Sequence, residues 1–194
     1  TTPTSATAAA AARASPSEMI DLKQDYFALF GLVPAFSIDM ERLEQAYIDI
    51  QARVHPDRFA HLSDTEKRLS MQWATHANEA FRTLKSPLTR GHYLLELRGV
   101  DPGFDTNTAM APDFLMEQME WREALGEATD AADEDALDEL SRRLRQGTRA
   151  LEAELARQLD ETADLEGAAD SVRRMKFLEK LQHEINDALT ALES

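Results

Sequence analysis

The sequence predicts an all-α protein with two helical domains, and three observations favour this fold class. Apolar residues recur at intervals of three and four wherever a core could form, which is the period of one helix face. No segment shows the alternation of β-branched residues that is typical of a strand. Residues 100–103, Val-Asp-Pro-Gly, form a strong breaker between two sets of helical segments. With 194 residues and 43% hydrophobic content, the chain can bury two small cores.

The charge distribution argues against nucleic-acid binding. The formal net charge is −15, and residues 101–194 carry 24 acidic against 10 basic side chains. Such a surface repels phosphate backbones, and the nearly neutral residues 18–100 show no basic stripe. The chain also lacks cysteine and has no apolar run as long as a membrane span. We therefore expect no membrane insertion and no sulfur-ligated metal.

Residues 1–17 are predicted to form a disordered tail. They are almost entirely Ala, Thr, Ser and Pro, a composition that buries too little apolar surface to offset the entropy of ordering. A targeting segment is the alternative. We favour the tail because the single Arg13 is little for a transit peptide and the five alanines at 8–12 make a poor secretory core.

The first domain is predicted to contain a helix hairpin. A short apolar helix begins after Asp25 and ends at Gly31, and Asp39 can cap a second helix that continues to Val54. The second helix has one apolar face, formed by Met40, Leu43, Tyr47, Ile50 and Val54. Residues 63–66, Ser-Asp-Thr-Glu, match a capping box that starts the returning helix. The apolar face of that helix consists of Leu69, Trp73, Ala77, Ala80, Phe81 and Leu84.

The loop of the hairpin holds the tripeptide His55-Pro56-Asp57. Pro56 lacks an amide hydrogen and disfavours helical geometry at His55, so the second helix cannot run far past Val54. Taken alone, the tripeptide is either a polar connector or an exposed site. His55 and Asp57 could also act as a base and its orienting group. We discount catalysis because no nucleophile or glycine-rich loop lies nearby in the sequence.

Four further helices are predicted after the hairpin. The first begins at Pro87 and ends near Gly99; it completes a first domain of residues 22–98, and a linker of residues 99–110 follows. Residues 111–194 are predicted to form an antiparallel three-helix bundle. Its helices begin at Pro112, near Glu134 and near Asp170.

The helix that begins at Pro112 has two contrasting faces. At about 100° per residue, one side carries residues suited to the bundle core, namely Phe114, Gln118, Trp121 and Leu125. The other side carries two methionines and three acidic residues, with Leu115 at its edge: Met116, Met119, Glu120, Glu123 and Glu127. This side is either an exposed protein-binding surface or is covered by a neighbouring helix, and the pattern leaves both open.

The residues around the tripeptide resemble the J-domain of the DnaJ-like co-chaperones. The resemblance covers roughly residues 25–90 and includes Asp-Tyr-Phe-Ala-Leu-Phe-Gly-Leu at 25–32, Ala46-Tyr47, the tripeptide itself and Asn-Glu-Ala-Phe-Arg-Thr-Leu at 78–84. It implies a helix hairpin with short helices that docks on a DnaK-class heat-shock chaperone and stimulates its ATPase. The chaperone-binding residues implied are His55, Pro56, Asp57, Arg53 and Arg58.

One departure from the J-domain pattern concerns the helix before the tripeptide. Typical J-domains carry a basic stripe there, whereas Ile48 and Asp49 follow Tyr47 in this chain. Arg42 and Arg53 are the nearby cations. We therefore expect docking to depend less on electrostatic steering, or to favour a specialised chaperone.

The rest of the chain resembles the HscB family, the J-type co-chaperones of iron–sulfur cluster assembly. The resemblance rests on Tyr-Leu-Leu-Glu-Leu-Arg-Gly at 93–99 and Phe-Leu-Met-Glu-Gln-Met-Glu at 114–120, and on the lack of a Gly/Phe-rich linker and a Cys-rich zinc module. It implies binding of an IscU-type scaffold protein and delivery of that protein to an HscA-type chaperone. The scaffold-binding residues implied are Leu115, Met116, Met119, Glu120, Glu123, Glu127 and Phe177.

The expected function is that of an adaptor without an active site. We expect no catalytic residue, metal or cofactor, and a cytoplasmic, bacterial-type location. A general DnaJ-like co-chaperone for unfolded clients is the alternative. A third possibility is a purely structural acidic protein in which the tripeptide is only a loop.

Overall fold

The computed structural model describes residues 24–54, 63–103 and 112–192, and within these ranges it contains helices and no strand. The helices are α1 Tyr26–Leu29, α2 Met40–Val54, α3 Asp64–Lys85, α4 Pro87–Leu97, α5 Pro112–Asp130, α6 Glu134–Ala156 and α7 Leu165–Leu192. A π-helical turn, Arg157–Thr162, follows α6. The predicted all-α fold is confirmed. The predictions for residues 1–17 and for His55, Pro56, Asp57 and Arg58 lie outside the described residues.

By spatial proximity the chain forms two compact units. Among the described residues, the first comprises 24–34, 38–54 and 63–86, and the second comprises 35–37, 87–103 and 112–192. The sequence predicts α4 as the last helix of the first domain, whereas in the folded chain α4 packs with the helices that follow it. The domain boundaries stay a prediction, because close packing does not by itself show which segments fold independently.

The first unit is a hairpin of α2 and α3 with α1 against α3. The side chain of Asp25 accepts a hydrogen bond from the Ala28 amide at 2.9 Å, and Gly31 follows α1 with a φ of 63°. That left-handed conformation favours glycine, as the sequence predicts. The predicted capping box at the start of α3 is present, formed by Ser63 and Glu66. The buried apolar residues of this unit are Phe27, Leu29, Phe30, Leu43, Ile50, Val54, Trp73, Ala77, Ala80 and Leu84.

The second unit contains the three-helix bundle that the sequence predicts. Its core consists of Ala128, Leu137, Leu140, Leu144, Leu178, Leu181 and Ile185. The last helix begins at Leu165, earlier than the predicted start near Asp170. The reason is a cap: the side chain of Asp164 accepts a hydrogen bond from the Gly167 amide at 3.0 Å, which satisfies a free donor one turn sooner.

Helix α4 packs against α7, and a glycine makes the close approach possible. A Cβ atom added at Gly91 would lie 2.7 Å from a methyl carbon of Leu155 and 3.2 Å from one of Val172. Arg90, on the same helix, is buried with its guanidinium 4.8 Å from the ring centroid of Phe36. Burial lowers the pKa of Arg90, and the nearby carboxylates of Glu152 and Asp160 oppose that shift.

The π-helical turn joins α6 to the rest of the second unit. Asp160, within this turn, accepts hydrogen bonds from the backbone amides of Phe36 and Ser37, at 2.7 and 2.8 Å. Gln158 is buried and accepts a hydrogen bond from the Ser171 hydroxyl at 2.9 Å. Ala163 ends the turn with a φ of 53°. The turn thus places the Asp160 carboxylate against the backbone of residues 36 and 37.

None of the helices in the described ranges is both long enough and apolar enough to span a membrane.

Candidate functional site

The end of α2 is fixed immediately before the His55-Pro56-Asp57 tripeptide. α2 ends at Val54, as the sequence predicts, and the Val54 side chain is buried. The hydroxyl of the buried residue Ser70 on α3 donates a hydrogen bond to the Val54 carbonyl at 2.7 Å. A carbonyl in the last turn of a helix has no partner within that helix, so Ser70 satisfies a group that would otherwise be buried and unpaired.

A second contact cluster sets the register of α2 against α3. The Tyr47 hydroxyl donates to the side-chain oxygen of Asn78 at 2.7 Å, and the Gln51 amide donates to the same oxygen. The rings of Tyr47 and Phe81 are stacked with their centroids 4.1 Å apart. Tyr47, Asn78 and Phe81 are among the residues that carry the J-domain resemblance. The contacts of these three residues hold together the two helices that flank the tripeptide. This explains why these residue types occur at these positions.

The two cations predicted to lie near the tripeptide have different surroundings. Arg53 lies exposed in the last turn of α2, where a positive charge also interacts favourably with the helix C-terminus. Arg42 donates a hydrogen bond to the Gly31 carbonyl at 2.8 Å, so it ties α2 to the end of α1. Ile48 is 58% exposed on α2. The described surface of α2 therefore presents the large apolar side chain of Ile48 and two separate cations, Arg42 and Arg53, rather than a basic stripe.

Replacing Ser70 with Ala is expected to lower the free energy of unfolding by about 1–3 kcal/mol, because the buried Val54 carbonyl loses its partner. Chemical denaturation followed by circular dichroism measures the change. Thr75→Ala is the matched control, since Thr75 lies on the same helix but is exposed and donates within that helix to the Met71 carbonyl. Equal stability losses in both variants would remove the special role assigned to Ser70.

The outward face of α5 is exposed, so no neighbouring helix in the described ranges covers it, and its role as a protein-binding surface stays a prediction. Leu115 is 44%, Met116 64% and Met119 71% exposed. Glu120, Glu123 and Glu127 are also exposed, and within the described residues no Lys, Arg or His lies within ion-pair distance of them. We call these six residues the α5 patch. It combines adaptable apolar side chains with acidic groups that are not committed to an ion pair.

Phe177, the seventh residue predicted for scaffold binding, flanks the other side of α5. It is half-buried on α7, and its ring meets that of Phe114 edge-on at 5.8 Å. The guanidinium of Arg122 lies 5.9 Å from the Phe177 ring centroid. Phe177 therefore packs against α5 through Phe114 and Arg122, and its part in scaffold binding stays a prediction. Its partial burial gives it a packing role in addition to any contact with a partner.

Arg174 on α7 holds the first turns of α5. Its guanidinium donates to Asp113 and Glu117 on α5, both at 3.1 Å, and to Asp170 on its own helix at 2.8 Å. It also lies 4.7 Å from the ring centroid of the buried Phe114. Burial acts to lower the pKa of Arg174, but the hydrogen bonds to Asp170 and Asp113 outweigh it and raise the pKa above its ordinary value. Arg174 thereby positions the segment that carries the α5 patch.

Replacing Arg174 with Met is expected to lower the free energy of unfolding by about 1–2 kcal/mol, through the lost hydrogen bonds and the lost contact with the Phe114 ring. Arg145→Met is the matched control, because Arg145 is exposed on α6 and has no ion-pair partner among the described residues. Thermal and chemical denaturation measure both variants. If Arg145→Met lowers the free energy of unfolding as much as Arg174→Met does, Arg174 has no special role in holding α5.

The same contact has a pH dependence of defined sign. The hydrogen bond from Arg174 holds the pKa of Asp113 below its ordinary value of 3.8. A carboxyl whose pKa is depressed by folding contributes stability above its ordinary pKa, and the contribution disappears as the pH falls through the folded-state value. We expect acid to weaken the Asp113 contact in the unmodified chain and to have less effect on α5 in the Arg174→Met variant.

Sequence reasoning did not single out Ser70 or Arg174. A partial signal exists for Arg174, since Asp170 precedes it by four residues and such pairs interact along a helix. The partners of Arg174 on α5 could not be predicted from residue spacing, because α5 and α7 are distant in sequence and the contact depends on how they pack. The same holds for Ser70, whose acceptor lies on α2.

Comparison with known proteins gives consistent matches over most of the chain. Residues 110–186 match a family model described as the HSCB C-terminal oligomerisation domain. A co-chaperone protein HscB homolog from Azoarcus sp. (strain BH72) is 61% identical over 175 residues, which are 90% of this chain and 99% of the relative. The homolog from Cupriavidus taiwanensis is 52% identical over 172 residues, which are 89% and 97% of the two chains.

Two solved structures share the fold. The chaperone HscB from Vibrio cholerae is 38% identical and superimposes with a TM-score of 0.77, covering 87% of this chain and 99% of that one. The human co-chaperone protein HscB is 32% identical with a TM-score of 0.80, covering 86% and 83%. The matches extend over both compact units.

Proposed function

Because the chain belongs to the HscB family of co-chaperones, we propose that it acts in iron–sulfur cluster assembly as an adaptor between two proteins. It binds an IscU-type scaffold protein, delivers it to an HscA-type chaperone of the DnaK class and stimulates the ATPase of that chaperone. Its own chemistry is binding: the ATP is hydrolysed on the partner. The cytoplasmic, bacterial-type location is part of the same proposal.

The observation that supports scaffold binding best is the exposure of the α5 patch. Leu115, Met116 and Met119 are a contiguous apolar surface on a helix whose opposite side already fills the bundle core. Full burial of a side chain of this size contributes about 1.5–3 kcal/mol, so two or three of them can anchor a protein complex. Methionine is unbranched and adapts to the shape of a partner.

The acidic members of the patch define the partner's chemistry. Glu120, Glu123 and Glu127 lie around the methionines in a unit that is itself strongly acidic. Exposed carboxylates without ion pairs attract a surface with lysine or arginine side chains and speed its association at low ionic strength. We infer that the scaffold protein presents an apolar contact bordered by basic residues.

Chaperone stimulation is assigned to the hairpin and its tripeptide. The contacts of Ser70 with Val54 and of Tyr47 with Asn78 hold the two helices between which the tripeptide lies. A carboxylate next to a proline has few conformations to lose, so Asp57 can pair with an arginine of the chaperone at a low ordering cost. His55, Pro56, Asp57, Arg53 and Arg58 are the proposed contact residues.

A single-turnover ATPase assay of an HscA-type chaperone tests the proposal. We expect the chain to accelerate hydrolysis, and the IscU-type scaffold protein to increase that acceleration, because the adaptor brings both to the chaperone. Absence of acceleration would contradict both this function and the alternative of a general DnaJ-like co-chaperone. Equal acceleration with an unfolded client and with the scaffold protein would favour the general co-chaperone.

A further inference from the structure

The described methionines differ strongly in exposure. Met116 and Met119, in the α5 patch, are 64% and 71% exposed, and Met71 on α3 is 58% exposed. Met175 is buried in the second unit at 4%. Met116 and Met119 are three residues apart on one helix, so their thioethers are neighbours on the same face. The chain contains no cysteine, so methionine supplies all of its sulfur.

We propose that Met116 and Met119 form an oxidation site, and that their conversion to methionine sulfoxide by hydrogen peroxide releases the bound scaffold protein. The inference rests on the proposed function of the α5 patch and deepens it, because it assigns a chemical control to that surface. It concerns two residues that the co-chaperone role requires to be apolar and exposed, and exposure is also what an oxidant requires.

Hydrogen peroxide supplies both the oxygen atom and the two-electron oxidation that sulfoxide formation requires. A lone pair on the thioether sulfur attacks one oxygen of hydrogen peroxide, an S–O bond forms and the O–O bond breaks. The sulfur is oxidised by two electrons, and the departing hydroxide takes the proton of the new sulfur-bound hydroxyl, which leaves the sulfoxide and one water molecule. Hydrogen peroxide is uncharged, so the carboxylates of Glu120 and Glu123 beside the methionines do not repel it as they would an anionic oxidant.

The effect on binding follows from polarity. Two of the three apolar side chains in the patch, Met116 and Met119, would each gain a strong hydrogen-bond acceptor. Burying that group against an apolar partner is unfavourable unless a donor is found. We expect the affinity for the scaffold protein to fall by about tenfold or more.

The fold itself should tolerate the change. Met116 and Met119 point away from the bundle core, which is formed by other residues of α5, α6 and α7. Met175, whose oxidation would place a polar group in the packed interior of the second unit, is shielded by its burial. Oxidation is therefore expected to lower the affinity for the scaffold protein while the stability of the fold stays nearly unchanged.

The test uses the full chain, treated with hydrogen peroxide and examined by three measurements. Peptide mass spectrometry should show a gain of one oxygen at Met116 and Met119 well before Met175. Calorimetry with an IscU-type scaffold protein should show the loss of affinity, while the thermal unfolding midpoint stays close to that of untreated protein. Methionine sulfoxide reductases with a dithiol reductant should restore the affinity.

Two variants separate the patch from other methionines. Met71→Leu should lose affinity on oxidation as the unmodified chain does, because it retains both patch methionines. Met116→Leu/Met119→Leu should show no change on peroxide treatment relative to its own untreated affinity. If that variant binds the scaffold protein too weakly to measure, the reductase treatment of the oxidised unmodified chain takes its place. Restored affinity would then support the assignment of the loss to methionine sulfoxide, and unrestored affinity would overturn it.

The outcomes distinguish this inference from the proposed function. If the untreated chain does not bind the scaffold protein, the proposed function fails and the inference falls with it. If the untreated chain binds, and oxidation of both residues leaves the affinity unchanged, only the inference is overturned. Oxidation of Met175 as fast as that of Met116 and Met119 would also overturn it, because the site would have no selectivity.

Discussion

Replacing Asp57 with Asn is expected to reduce stimulation of the HscA-type chaperone's ATPase by about tenfold or more. The substitution keeps the size of the side chain and removes its charge, so a charge-assisted contact with a chaperone arginine is lost while the hairpin remains folded. The measurement is the single-turnover hydrolysis rate at saturating co-chaperone. Affinity for the IscU-type scaffold protein should not change, because the α5 patch belongs to the other compact unit.

Asp64→Asn is the matched control for this variant. Asp64 lies exposed in the first turn of α3, after the loop that contains Asp57, and the substitution removes the same unit of charge. We expect it to retain most of the stimulation. If Asp57→Asn stimulates as well as the unmodified chain, the assignment of the tripeptide to chaperone docking is wrong, even though the family membership stands.

The double substitution Met116→Ala/Met119→Ala is expected to weaken scaffold binding by about 2–3 kcal/mol, roughly a 30- to 150-fold loss of affinity. Both side chains are largely exposed in the free chain, so their removal takes apolar area from the complex and little from the fold. Isothermal titration calorimetry measures the affinity. ATPase stimulation in the absence of scaffold protein should be retained. That result would show that scaffold binding and chaperone stimulation depend on different residues.

Met71→Ala is the control for the methionine pair. Met71 is 58% exposed, close to the value for Met116, but it lies on α3 in the first unit. Its removal should leave scaffold affinity unchanged. An unaltered affinity in the double variant would take the methionines out of the binding surface and leave Leu115, Phe177 and the acidic residues of the α5 patch as its candidates.

Local rules in the sequence predicted most of the fold. The spacing of apolar residues and the Ser63–Glu66 capping box set the helices of the hairpin, since both depend on residues within one or two turns. The two faces of α5 also followed from helical periodicity, with Phe114 inward and Met116 and Met119 outward. The start of α7 was predicted too late because the capping role of Asp164 was not recognised.

Contacts between distant segments could not be predicted in the same way. Sequence spacing does not reveal that Arg174 meets Asp113 and Glu117, nor that Arg42 turns to the Gly31 carbonyl. The packing of α4 against α7 depends on the absence of a side chain at Gly91, which is meaningful only once Leu155 and Val172 are known to lie opposite. Each of these features depends on how two segments of the chain are placed relative to each other. The spacing of apolar residues along one helix carries no information about that placement.

The hydrogen bonds from Phe36 and Ser37 to Asp160 have a consequence for the order of folding. They join residues 124 and 123 positions apart, so they cannot form until synthesis has passed the end of α6. Closing so long a loop costs entropy that only the assembled bundle can offset. A fragment that begins at Pro87 would keep the bundle helices but leave Asp160 and Arg90 without Phe36. Completion of the second unit therefore depends on a segment that the ribosome makes long before it makes the π-helical turn.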